Sequence, residues 1–229
     1  MKILVTSGGT SEAIDSVRSI TNHSSGRLGK LITETLLEAG HQVCLITTSQ
    51  AVKPSAHQDL TIIEIENTAD LLQTMKDTIM DYQVLIHSMA VSDYTPVYMT
   101  GFDEVQASQD LTEFLDRKNQ ETKISSKDDV QVLFLKKNPK IISLVKKWNP
   151  NIHLIGFKLL VDVSQEHLIR IARESLKKNQ ADLIVANDLT QINANQHLAY
   201  LVEENGYQIA TSKQEIADLL VKRIQGFDR

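Results

Sequence analysis

The run Met1-Lys2-Ile3-Leu4-Val5-Thr6-Ser7-Gly8-Gly9-Thr10 decides the fold. Ile3, Leu4 and Val5 are apolar in succession, so the strand they predict has no face to give to water, and a parallel sheet covered on both sides is where such a strand fits. Ser7-Gly8-Gly9-Thr10 then removes side-chain bulk as the strand ends, letting backbone amides approach an anionic group while the hydroxyls add donors. The same glycines would also serve a tight connection with no ligand. A polar segment leads to a second element of this type, Ser24-Ser25-Gly26, ahead of a helical pattern at Leu28, Ile32, Leu36 and Leu37. Both small-residue turns are expected to face one crevice.

Outward from there, Gly40 ends the first helix, and residues 42–48 and 61–65 read as strands. Residues 68–80 form a helix with Thr68 as its cap, and residues 84–86 a fully apolar strand. Residues 92–129 are rich in Asp, Ser, Thr, Gln and Lys and read as a flexible flap, about 95–129, followed by a strand over 130–135. Asn138 caps, and Pro139 opens, a helix reaching 147. A strand at 152–157, a helix over 165–179 behind Ser164 and a buried strand at 183–186 follow. Residues 199–211 predict a hairpin turning at Asn205-Gly206, and 212–224 a closing helix. This alternation implies one α/β domain over residues 1–229. It is Rossmann-like and doubly wound, a mostly parallel sheet with helices on both faces, plus the flap and the C-terminal hairpin, and its ligands bind beyond the carboxyl ends of the strands.

With 229 residues, 41% of them hydrophobic, the chain can bury a core. Lys plus Arg is 24 against 29 for Asp plus Glu, a formal charge of −5, which gives no general attraction to nucleic acid or anionic lipid. The single cysteine, Cys44, sits in an apolar run; it can form neither an intrachain disulfide nor a cysteine zinc site and reads as a buried thiol in a reducing compartment. Only Ile3, Leu4 and Val5 follow Lys2 as an apolar run, and no later stretch approaches about 18 apolar residues, so neither a signal peptide nor a membrane span is expected and the chain reads as cytoplasmic. The seven histidines include no HxxxH pair, and Trp148 beside Pro150 reads as an edge packing residue.

Three familiar devices are missing. There is no GxGxxG. Gly29-Lys30 is followed by Leu31, and Ser24 stands where a P-loop needs its first glycine. No tyrosine is followed four residues later by Lys. An NAD(P)-dependent reductase on a similar sheet would need an acidic residue after the second strand, where Thr47-Thr48-Ser49 stand instead.

The stretch SGGTSEAIDSVRSITNHSSGRLG, residues 7–29, resembles the signature of the phosphopantothenate–cysteine ligases. Ala90-Val91-Ser92-Asp93-Tyr94 is similar to the family's AVADY-type block, Lys137-Asn138-Pro139 to its KNP block, Gly156-Phe157 to its GF pair, and ADLIVAND, residues 181–188, to its late strand. The resemblance implies a ligase of coenzyme A biosynthesis. CTP, with Mg2+, would activate the carboxylate of 4′-phosphopantothenate as an acyl-cytidylate with release of pyrophosphate, and the amine of L-cysteine would then attack. Because the chain opens on the ligase strand, the resemblance further implies a monofunctional, flavin-free form; family members are homodimers.

Residue by residue, the resemblance assigns Asn22 to the acyl intermediate, where a neutral amide donates without adding charge, and Arg18 to the second half-reaction, unless it is a surface arginine. Lys123 aligns with the first lysine of the family's KIKK flap motif; Ser125-Ser126-Lys127 replaces the rest, so Lys123 or Lys127 would close on the triphosphate. The turns Gly8, Gly9, Thr10 and Ser24, Ser25, Gly26 would cradle substrate. His87, Ser88 and Met89 would line the nucleotide, Lys137, Asn138, Pro139 and Lys140 would bring a helix N-terminus and lysines to its phosphates, and Phe157 would meet the base. Asp93 would hold the divalent ion or the nucleotide's polar groups, or else form an Asx-turn or cap. Asn187-Asp188 either lines the site or forms an Asx-turn. Ser175 and Asn179 stand where the family carries two nucleotide-contacting lysines, with Lys177 and Lys178 off by one or two positions. These departures keep open a non-catalytic nucleotide-binding regulatory module.

Overall fold

Strand β1 (Lys2–Thr6) runs through the middle of an eight-stranded sheet, with Ile3, Leu4 and Val5 fully buried. The computed structural model describes residues 1–193 and 196–227. After β1 come a small hairpin, β2 (Ser11–Ala13) and β3 (Ser19–Thr21), then α1 (Arg27–Glu38), β4 (Gln42–Thr48), β5 (Leu60–Ile65), α2 (Thr68–Thr78) and β6 (Val84–His87). The flap contributes β7 (Tyr94–Gly101), α3 (Phe102–Ala107) and β8 (Gln131–Lys137). The chain closes with α4 (Val145–Trp148), β9 (His153–Leu160), α5 (Gln165–Asn179), β10 (Leu183–Ile192), β11 (His197–Glu203), β12 (Gly206–Ala210) and α6 (Lys213–Gln225).

The sheet order is β12-β11-β10-β9-β6-β1-β4-β5. From β5 to β10 neighbouring strands are parallel; β11 and β12 add an antiparallel hairpin to the β10 edge. The chain winds outward from β1 to β5 and restarts at β6 on β1's other side, so the strand order reverses between β1 and β6, where an open α/β sheet binds its ligands. Alternate side chains of the strands feed two cores. Ile3, Val5, Ile86 and Val185 pack with Ile32 and Leu36 of α1 and Ile216, Leu220 and Ile224 of α6. Leu4, Leu85 and Ile184 pack with Leu71 and Met75 of α2, Val145 of α4 and Leu168 and Ala172 of α5.

Most of the expected elements form, and the differences have local causes. The cap of α2 is Asn67, whose side chain accepts from Asp70 N in a capping box; Thr68 is one residue inside and donates its hydroxyl to Glu12 Oε1 at 2.6 Å. Ser164 and Ser212 do cap α5 and α6. Asn138 caps nothing: its Nδ2 donates to Ser92 O and its Oδ1 accepts from Thr95 Oγ1, and the first helical turn waits until Ile141. The C-terminal hairpin turns at Glu204 and Asn205, one residue before the expected pair, and neither has the positive φ of a type I′ turn. The flap is a small folded unit rather than a structureless loop. Its strands β7 and β8 pair only with each other, and Phe114, fully buried, stacks between Tyr98 and Phe134 with ring centroids 5.9 and 4.9 Å away. The Arg117 guanidinium lies 4.8 Å over the Phe114 ring and pairs with Glu104 and Glu113. Among the described residues no helix is long and apolar enough to cross a membrane.

Candidate functional site

At the switch point the loops leaving β1 and β6 are laced together by main-chain bonds. Ser88 donates to Thr6 O from both N and Oγ, Ala90 N donates to Gly8 O, and Thr10 N donates to Ala90 O at 3.1 Å. The Thr10 amide is therefore not a free donor for a ligand. Its hydroxyl accepts from Ser92 N and donates to Ser92 Oγ. His87 is buried with Nδ1 2.8 Å from Thr6 Oγ1; burial, helped by the charge of Lys140, pushes its pKa down to about 4, so the ring is neutral at pH 7. Gly9 must be glycine because a Cβ there would sit 2.1 Å from Asn22 O, which is how the Asn22 loop comes to lie on the β1 turn. Gly26, at φ +74°, ends that loop and starts α1.

Two cavities open on either side of that loop. The first, about 630 Å³, is lined by Gly9, Arg18, Asn22, Ser49 and Glu66; the second, about 410 Å³, by Gly26, Met89, Phe157, Asn187, His197 and Lys213. His23, Ser24 and Ser25 line both, so the loop is a shared wall. Both small-residue turns reach both cavities, Gly9 with Ser24 and Ser25 in the first and Ser7 with Ser24, Ser25 and Gly26 in the second. Of the expected residues, Gly9, Arg18, Asn22, Ser24 and Ser25 meet in the first cavity, and Ser24, Ser25, Gly26, Ser88, Met89 and Phe157 in the second. Gly8 lies behind them, its Cα side facing Ala51 and Thr48. Asp93, Lys137, Pro139 and Lys140 are exposed and belong to neither lining, and Asp93 pairs with Lys140 at 3.1 Å.

The second cavity receives the N-terminus of α1, which has no side-chain cap, no acidic residue in its first turn and Arg27 as its first residue. Beyond the long contact of Arg27 N with Ser25 Oγ at 3.5 Å, such a terminus presents unpaired amides and a positive dipole end. The first cavity is held by two carboxylates that the sequence reading passed over. Asp15 accepts from Val17 N, Arg18 N, Arg18 Nε and Arg18 Nη2, the last at 2.6 Å, and also from Ile124 N at 3.1 Å. These bonds, the Arg18 guanidinium foremost, hold its carboxyl well below the usual carboxylate range. Arg18 Nη2 donates in turn to Ile124 O, and Ser16 N to Thr122 O. The peptide on each side of exposed Lys123 is thus pinned beside Arg18, whereas Lys127 has no such anchor among the described residues. Glu12, 3% exposed, accepts from Thr68 N and Thr68 Oγ1 and shares the Thr95 hydroxyl hydrogen with Asn138 Oδ1, tying β2 to α2 and to the flap. An Asp-x-x-Arg spacing was the one sequence signal for the Asp15 clasp; Glu12 carried none.

Two open questions close here. Asp188, within β10, accepts from the amides of Asp162, Val163 and Thr190 and from the Thr190 hydroxyl, which brings it down to about 2, while Asn187 lines the second cavity. Ser175 and Asn179 occupy the last turns of α5, which delivers the chain to the start of β10, at the opposite end of the strands from both cavities. Asn179 is buried there, its Nδ2 donating to Ser175 O at 2.8 Å, and neither residue lines either cavity. Among the described residues no group of three or more His, Cys, Asp or Glu converges as metal ligands.

Fold and site together define a Rossmann-like α/β protein with its cavities at the carboxyl edge of the sheet. A family model described as DFP, the DNA/pantothenate metabolism flavoprotein C-terminal domain, matches residues 1–102 and 103–227, and the chain belongs to this family. It is similar to the coenzyme A biosynthesis bifunctional protein CoaBC of Thermococcus kodakarensis, 32% identical over 228 residues, covering 98% of this chain and 51% of that protein. The chain thus spans about half the length of the curated relatives it matches. Among solved structures, the DNA/pantothenate metabolism flavoprotein from Streptococcus pneumoniae is 70% identical with a TM-score of 0.96, covering 99% of each chain. The C-terminal domain of CoaBC is 25% identical with a TM-score of 0.72, covering 99% of this chain and 94% of that one.

Proposed function

We propose that the chain is a CTP-dependent phosphopantothenate–cysteine ligase. The observation that carries the reading is the pair of cavities separated by one loop, with Asn22 on the wall of one and an uncapped helix N-terminus in the other. Membership of a pantothenate-metabolism family and likeness to coenzyme A biosynthesis proteins support it. In this reading the 4′-phosphopantothenate carboxylate takes the first cavity and CTP the second. A carboxylate oxygen attacks the α-phosphorus, the bond to the β-phosphate breaks, and pyrophosphate leaves. The cysteine amine then attacks the acyl carbon, the bond to CMP breaks, and the nitrogen loses a proton to give the amide.

Bringing two anions together requires positive charge and donors already in position. Arg18, fixed by Asp15, and the α1 N-terminus with Arg27 supply these on either side of the wall. Asn22 donates to the acyl oxygen, and Lys123, carried by its anchored peptide, adds charge at the triphosphate; Lys127 is the alternative donor. Mg2+ enters as part of the nucleotide complex. Asp93, just past a buried strand, would exchange its present partner Lys140 for that ion or for the nucleotide's polar groups. Exposed Phe102, Leu111 and Val130 give the flap a surface for a second copy, so a homodimer is part of the reading.

Incubation with CTP, Mg2+ and 4′-phosphopantothenate is expected to release pyrophosphate before cysteine is added, and cysteine to release CMP. Absence of pyrophosphate with both CTP and ATP would reject the ligase.

A further inference from the structure

His197, the first residue of β11, is 7% exposed, and among the described residues neither ring nitrogen has a hydrogen-bond partner. Its main chain is satisfied, the N–H donating to Thr211 O at 2.8 Å, so the strand does not need the imidazole to hold its register. Burying a ring with two unmet nitrogens carries a desolvation penalty that an apolar side chain of similar size would avoid. Such groups are rare in native proteins and call for something that completes them. His197 lines the second cavity, where a bound molecule can do so.

The surroundings narrow down that molecule. Burial, reinforced by the charge of Lys213, pushes the ring down to about 4, so at neutral pH it offers one donor and one acceptor. An ionised phosphate only accepts and would leave the ring's acceptor unmet. The ring edges and hydroxyls of a nucleoside present both donors and acceptors. Phosphate is provided for elsewhere in the same cavity, by the uncapped α1 N-terminus and Arg27. Phe157, Leu159, Leu189 and Ile192 supply apolar wall for a flat ring.

We propose that His197 recognises the nucleoside part of the nucleotide in the second cavity, donating from one ring nitrogen and accepting at the other, and so sets which nucleotide the site takes. The inference rests on the nucleotide reading above and adds to it a residue that the family resemblance does not single out.

The test is calorimetric titration of the full chain with Mg·CTP and, separately, with inorganic tripolyphosphate, for the wild type, His197→Leu and His197→Asn. His197→Leu is expected to bind CTP about tenfold more weakly. Its tripolyphosphate affinity and its melting temperature should be no lower than wild type. His197→Asn keeps a donor and an acceptor and should recover part of the CTP affinity. If the Leu variant does not fold, His197→Ala carries the same comparison. Unchanged CTP affinity in a protein that binds and turns over CTP overturns the role of His197 and leaves the ligase standing. Equal weakening toward CTP and tripolyphosphate overturns the nucleoside assignment. A wild type that binds no nucleotide overturns both readings.

Discussion

The two cavities share a wall but are finished in opposite ways. Around the first, the charged groups that hold the loops are already matched: Asp15 with Arg18 and Ile124, and Glu12 with Thr68 and Thr95. Around the second, the α1 terminus is uncapped and the His197 ring is unmet. The first cavity is therefore shaped by the protein's own bonds, and the second keeps bonding capacity in reserve. A site built of satisfied groups contributes stability; one built of unmet groups contributes binding at the expense of stability.

The contrast can be broken by mutation. Asn22→Asp places a carboxylate where an anion must react, and kcat for pyrophosphate release should fall roughly 10²–10³-fold, with melting temperature little changed. A fall in stability without a fall in rate would make Asn22 a loop-packing residue. Glu12→Ala removes the acceptor of two bonds and a share of a third at a buried position and should lower unfolding free energy by about 2–4 kcal/mol in urea titrations. Arg27→Ala, on the reserve side, should leave that titration unmoved. If both variants behave alike, the distinction between the two sides fails.

The smallest expected effect is on pH. His87 titrates at about 4 in the fold and near 6.5 when unfolded, so between those values the unfolded chain binds more protons. The contribution of this residue is complete above about pH 6.5 and declines as pH falls toward 4. His87→Asn should flatten the slope of unfolding free energy over that window; an unchanged slope would show that the ring is not held neutral.

The strands that form the sheet were legible because each buried face needs its own apolar residues, and Ile3-Leu4-Val5 or Val84-Leu85-Ile86 leaves no polar face to allow another reading. Of the flap, β8 was legible as the strand over 130–135, whereas β7 was not, because it pairs with β8 across a long sequence separation and carries Pro96 beside a register shift. Neither strand announces its partner. Within the site, Asn22, Ser24, Ser25 and Phe157 followed from local motifs and lie on the cavities. Lys137 and Lys140 did not, because Asn138, read as a helix cap, is used to fasten the flap and leaves those lysines in solvent. His197 gave no signal: its significance lies in bonds it does not make, and a sequence does not display unmet valence.

A partition one peptide thick has two faces and a single backbone. Any occupant that moves Ser24 or Ser25 from one side reshapes the chamber on the other, so the two occupancies are energetically linked, and each must alter the other's affinity by the same factor. The residues through which that linkage runs are the three that line both cavities, His23 to Ser25.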